Sequence, residues 1–143
     1  VSQASYQVRF DWGVAGVAAV GRDADAIVWV SQLLAAAAPA GCVAGSLERA
    51  GELADWALAQ QQKADGRFRI AVIAAGAPRP DGSLRFAVED LLAAGAIIEA
   101  IGDAGIDHQS PEAAAAASAY RGLRTSTRHL ISASETSRES RDD

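Results

Sequence analysis

The stretch Gly76-Ala77-Pro78-Arg79-Pro80-Asp81-Gly82-Ser83-Leu84-Arg85 gathers the side chains of this sequence best suited to chemistry. Gly76 and Gly82 permit close approach of backbone to a ligand. Arg79 and Arg85 supply local positive charge. Ser83 has the type and place of a helix N-cap before Leu84 to Leu92, and free N–H groups at such a start attract anions. Asp81 is a carboxylate of the kind that holds a hard cation such as Mg²⁺, which takes oxygen ligands and keeps several waters. The same residues also suit an ordinary surface turn with a capped helix behind it, and the residues alone leave both readings open.

Other acids lie near this stretch or match it in kind. Glu89 and Asp90 are adjacent on the expected helix, so they point about 100° apart. They cannot both line one site, and a solvated acidic face is the plainer expectation. Asp11 ends a strand beside Trp12 and Gly13, either as a ligand group or as the cap of the next helix. Ser46 in Gly45-Ser46-Leu47 is read as an N-cap. His108 and His129 have no evident nucleophile beside them and are read as surface residues. There is no G-x-G-x-x-G and no Walker loop, so dinucleotide and P-loop chemistry lack support.

The elements that must position these residues follow from periodicity. Tyr6, Val8 and Phe10 alternate with Gln7 and Arg9, which predicts a half-buried strand over Tyr6–Phe10. Ala26–Val30 is a continuous apolar run, as a strand buried on both faces requires, and Phe68–Ala75 is the clearest buried strand in the chain. Cys42–Ala44 is a shorter strand. Helices are expected over Val14–Val20, over the alanine-rich Ser31–Ala38, and from Leu47 to about Lys63. Two more are expected over Leu84–Leu92 and Ala96–Ala104, divided at Gly95. Ser110-Pro111-Glu112 places a cap, a proline at the first helical position and an acid in the first turn of a last helix running to about Leu130.

Strands alternating with helices imply a three-layer α/β/α domain with a mostly parallel sheet. Ligands of such sheets sit beyond the carboxyl ends of the strands. Asp11-Trp12-Gly13, Ser31-Gln32 and Gly76 to Arg85 all fall there. Residues 1–131 are read as one domain and residues 132–143, rich in Ser, Glu, Arg and Asp, as a frayed tail.

Composition narrows the function classes. The chain has 143 residues, a formal charge of −5 and only eight aromatic residues, without a basic stripe, which argues against nucleic acid. One cysteine, Cys42, excludes an internal disulfide. No apolar run reaches the roughly 20 residues of a membrane span, so no membrane partner is expected and the cytoplasm is the default location. A negative chain that binds a negative ligand must concentrate positive potential locally.

Two stretches resemble the ComB-like family, the 2-phosphosulfolactate phosphatases. One is Val8-Arg9-Phe10-Asp11-Trp12-Gly13-Val14-Ala15-Gly16. The other is Val72-Ile73-Ala74-Ala75-Gly76, then Pro80 to Arg85, then Glu89-Asp90-Leu91-Leu92-Ala93-Ala94-Gly95-Ala96-Ile97-Ile98. Gly45-Ser46-Leu47 is a weaker match, and the Pro111 helix with Tyr120-Arg121 fits the family's closing region. The resemblance covers both ends of the chain. The middle is shortened, since family members carry a longer segment with further polar site residues where only Ser31 to Ala44 stands here.

The resemblance implies a reduced form of the family's α/β/α fold. It also implies Mg²⁺-dependent hydrolysis of a small phosphorylated, sulfonated acid in coenzyme M synthesis. By position, Asp11, Gly76, Asp81, Gly82, Ser83, Arg85, Glu89 and Asp90 match. Asp81 is the implied metal ligand, with Asp11 or Glu89 assisting catalysis. Gly76, Arg79, Gly82, Ser83 and Arg85 are expected to bind the ligand. Ser31 and Ala77 stand where the family has Asp and Glu, and Arg49 where it often has Asn. Losing two acids is expected to hurt metal-assisted catalysis more than anion binding. A non-catalytic binder of a small anion or a protein is therefore the alternative. Loss of the middle segment leads to an expectation of self-association.

Overall fold

The structure is a computed structural model and describes residues 2–142, so Val1 and Asp143 lie outside the described residues. Four strands form one sheet: β1 (Val8–Trp12), β2 (Ala26–Val30), β3 (Val43–Gly45) and β4 (Ile70–Ala74). Every pairing in it is parallel and the order is β1-β4-β2-β3. Central β4 is fully buried along its whole length, as its unbroken Ile-Ala-Val-Ile-Ala run predicts. The protein is thus an α/β domain with a parallel sheet between helices.

The two faces are covered unequally. Helix α1 (Gly13–Val20) packs on one face, where Val20, Trp29, Ala71, Ile73 and Ala75 form a small apolar cluster. Helices α2 (Ala50–Lys63), α3 (Val88–Asp103) and α4 (Pro111–Leu123) cover the other. That larger core holds Val8, Phe10, Val28, Val30 and Val72 with Leu53, Ile97, Ile98 and Ile101. Helices α3 and α4 meet at Gly95, where an added Cβ would stand 2.2 Å from the Ala116 carbonyl oxygen. Gly95 therefore does not divide a helix, as its type suggested. It lets one continuous helix lie close against its neighbour.

Several expectations shift. The first strand starts at Val8, where its pairing with β4 begins, and the Gln7 and Val8 N–H groups both donate to His108 O, at 3.1 and 3.0 Å. Gln7 and Arg9, which alternate with its apolar residues, are not solvated. Arg9 is fully buried, donating to Tyr6 O, Val20 O and Ala4 O and paired with Asp23. That ion pair holds the Asp23 carboxyl below the ordinary carboxylate range, chiefly through the Arg9 hydrogen bond.

Ser31–Ala38 is not a helix despite its alanines. This segment must return from the end of β2 to the start of adjacent parallel β3. Residues 32–34 form a turn and Ala35 takes a φ of +48°, so no helix continues through the segment. Two bonds fasten it: Trp29 Nε1 donates to Ala36 O at 3.2 Å and Ala36 N donates to Ser31 Oγ at 2.9 Å. The last helix starts as expected, with Ser110 Oγ accepting from Ala113 N at 3.0 Å. It breaks after Leu123 into a 3-10 turn (Arg124–Ser126) and α5 (Thr127–Ser132). The expected tail carries a further helix, α6 (Glu135–Asp142), seated by buried Ser134 and Thr136. No helix among the described residues is long and apolar enough to cross a membrane.

Candidate functional site

The carboxyl ends of β1, β2 and β4 bring together the three segments that the sequence places there. Asp90, in the first turn of α3, joins two of them. Its Oδ1 accepts from Gln32 N at 2.7 Å and its Oδ2 from Gly76 N at 2.9 Å. The third segment closes on the same point. Gly13 has φ +66° and Gly76 φ +72°, and an added Cβ at either would stand within about 3 Å of the Leu84 side chain. Leu84 therefore rests across both turns.

Glu89 and Asp90 are buried, which overturns the expected solvated acidic face. Burial raises the Asp90 carboxyl from 3.8 to about 6, with neighbouring Glu89 adding to the rise. The two backbone N–H bonds and the nearby Arg85 charge pull the other way without cancelling it. Glu89 Oε1 is buried without a hydrogen-bond partner among the described residues. Adjacent helical positions can both be buried here because core and strand ends surround the start of α3.

The loop expected before a Ser83-capped helix is instead a two-stranded antiparallel hairpin, β5 (Ala77–Pro78) and β6 (Leu84–Arg85). Ser83 caps no helix, because α3 begins only at Val88 behind Ala87. The predicted anion site on helical N–H groups at Ser83 is therefore absent. Ser83 ties the turn instead. Asp81 Oδ1 accepts from Ser83 N at 3.0 Å and from Ser83 Oγ at 2.6 Å, and Gly82 adopts φ +86°. These bonds lower the Asp81 carboxyl below its ordinary value, the side-chain bond first.

The two arginines of the hairpin differ. Arg79 is exposed and makes no salt bridge among the described residues. Arg85 is nearly covered. Its Nε lies 3.1 Å from Glu135 and its Nη2 3.3 Å from Glu139, both on α6. Asp11 shares the sheet edge with the hairpin but not a cavity with it. Its Oδ1 accepts from Trp12 N at 2.8 Å, and its side chain crowds Gly16 of α1. The cavity that Asp11 borders, about 800 Å³, is lined by Phe10, Trp12, Leu91, Pro111 and Glu112 among others, none from the hairpin. Asp11 and the Gly76–Arg85 stretch therefore meet at one edge of the sheet, as their strand ends predict, without lining this cavity together.

Mg²⁺ finds little to hold it. Among the described residues, no group of three or more His, Cys, Asp or Glu side chains is placed to bind a metal ion. Asp81 stands alone at an exposed turn, Asp11 is apart from it, and Asp90 has both oxygens engaged. Among the described residues the side chains build no centre of three or more metal ligands. Ala77, where the resembling family has Glu, is buried within β5.

Gln32 falls at this edge as the sequence places it, but its part in the site was not expected. Besides its N–H bond to Asp90, its Oε1 accepts from Leu47 N at 2.7 Å. Its Nε2 donates to both Glu48 oxygens at 3.1 Å, which lowers the Glu48 carboxyl. Gln32 thereby serves the turn after β3 that Ser46 was expected to cap. Its place directly after β2 was the available signal. Compared with known proteins, the chain matches no family model, no curated protein and no solved structure.

Proposed function

We propose that the chain is a small-acid-binding relative of the 2-phosphosulfolactate phosphatases in which metal-dependent hydrolysis is weak or lost. The ligand is a phosphate or sulfonate group held at the carboxyl edge of the sheet by Arg79 and Arg85. The observation that carries this reading is how charge is used there. The carboxylates of Asp81 and Asp90 are taken up by hydrogen bonds within the fold, while the Arg79 guanidinium has no acidic partner among the described residues. The two carboxylates on Arg85 are exposed, and exposed ion pairs contribute only about 0–1 kcal/mol. An incoming oxyanion that forms paired bonds with the guanidinium can replace them.

The test is a titration with inorganic phosphate, together with phosphate release from 2-phosphosulfolactate with and without Mg²⁺. Saturable binding that Arg79→Ala with Arg85→Ala weakens tenfold or more is expected, with little turnover. Robust Mg²⁺-dependent turnover abolished by Asp81→Ala would sink the reading.

A second reading keeps the hydrolysis. It is favoured by the buried Glu89–Asp90 pair, since a carboxyl raised to about 6 suits proton transfer near neutral pH. Under it, Mg²⁺-dependent turnover persists in Asp81→Ala and is lost in Asp90→Asn while binding remains. Self-association belongs to the same proposal. Val14, Phe86 and Val88 are exposed apolar residues at this edge, and Phe86 stacks on Trp12 at 4.7 Å. Light scattering at tens of micromolar should show a dimer, and a monomer there would argue against it.

A further inference from the structure

We infer a second oxyanion-binding site, distinct from the hairpin, in the polar pocket where the corner between α4 and α5 meets the turn after β3. The pocket has a volume of about 380 Å³ and is lined by Tyr120, Arg124, Thr125, Thr127, Arg128 and His129, with Leu47 at one wall. Its lining includes no acidic side chain.

Helical geometry sets these residues together. Arg124 and Thr125 come from the 3-10 turn and Arg128 and His129 from α5, and the corner between the two brings all four to one pocket. The corner is fixed from within. Thr127 is buried and its Oγ1 donates to Leu123 O at 3.1 Å. The neighbouring arginine of α4 shows what a structural role looks like here: Arg121 reaches Glu99 at 2.5 Å and Ser118 at 3.0 Å. Arg124 and Arg128, by contrast, make no salt bridge or side-chain hydrogen bond among the described residues. The Glu48 carboxyl is kept low in part by Arg128. Glu48 is already held by Gln32 and borders the adjoining depression, with Arg128 between the two.

Two guanidiniums and an imidazole around hydroxyl donors suit the oxygens of a phosphate or sulfonate group. In a chain of net charge −5, such a pocket is a local reversal of the overall potential. Leu47 lies just beyond the carboxyl end of β3, where parallel sheets place ligands. The volume admits a small acid and not a long polymer.

The test is a titration of the full chain with inorganic phosphate at constant ionic strength, followed by amide chemical shifts. Saturable shifts over residues 124–129 are expected. Arg124→Ala with Arg128→Ala should weaken them tenfold or more with an unchanged circular dichroism spectrum. Arg124→Lys with Arg128→Lys should keep part of the binding, since charge remains while the two-pronged geometry is lost. Arg79→Ala with Arg85→Ala should leave the 124–129 shifts intact, which separates this site from the hairpin. Undiminished binding in the double alanine variant overturns the inference. So do shifts confined to residues 79–85, or no saturable shift at 124–129.

Discussion

Asp90 and Asp81 stand at the same edge of the sheet, both accept from backbone N–H groups, and the fold depends on them to different degrees. Asp90 is buried and clamps two strand ends, through Gln32 N and Gly76 N, to the start of α3. Asp81 is exposed and ties only its own turn through Ser83. The first closes a long-range connection in a low-dielectric setting, where lost partners are costly. The second closes a local loop that water can serve equally well. An acid in a stretch rich in glycine and charge is thus to be judged by what its oxygens hold.

The largest effect is expected from Asp90→Ala. It leaves two backbone N–H groups without an acceptor, at about 1–3 kcal/mol each. A loss of roughly 3 kcal/mol at pH 5 should appear in urea unfolding. A loss below about 1 kcal/mol would mean that water replaces the carboxyl group and that the clamp is dispensable.

The next expectation sharpens the contrast through pH. The folded carboxyl of Asp90, at about 6, lies above its ordinary 3.8. Between these values the native state holds more protons than the unfolded state. The contribution of Asp90 is therefore fully present below about 3.8 and is lost as pH rises through about 6. A rise of about two pKa units corresponds to roughly 3 kcal/mol. The stability difference between wild type and Asp90→Asn should shift by that order across this window. Parallel pH profiles for the two proteins would show that Asp90 titrates normally.

A smaller effect is expected from Leu84→Ala. Leu84 is half-buried and bridges the turns at Gly13 and Gly76. Its loss should cost about 1–2 kcal/mol, below the range for a fully buried leucine. Amide exchange should quicken in residues 77–85 and not in α3. Equal acceleration in both would mean that hairpin and helix open as one unit.

The smallest effect is expected from Asp81→Ala. The urea midpoint should not move measurably, while exchange at residues 81–83 quickens. A clear fall in stability would place Asp81 beside Asp90 as a structural clamp and break the comparison.

Some of this molecule follows from the chain's own pattern. The unbroken apolar run Ile70–Ala74 has to be buried on both faces, which makes it a central strand of a parallel sheet. Ser110 and Pro111 start a helix through groups within a single turn, so no distant residue is needed. From such local facts the α/β architecture and the convergence of three segments at one edge were legible. The site was less so. Whether Ser83 capped a helix or pinned a hairpin turned on Leu84 finding Gly13 and Gly76. Whether Glu89 and Asp90 met water turned on the strand ends closing over them. The alanines after Ser31 favour a helix, yet a turn at 32–34 and the bonds made by Ala36 to Trp29 and Ser31 hold the segment otherwise. Local propensities differ by less than about 1 kcal/mol per residue. Tertiary burial and chain connectivity outweigh them, and here they decided which of these residues stand free to meet a ligand.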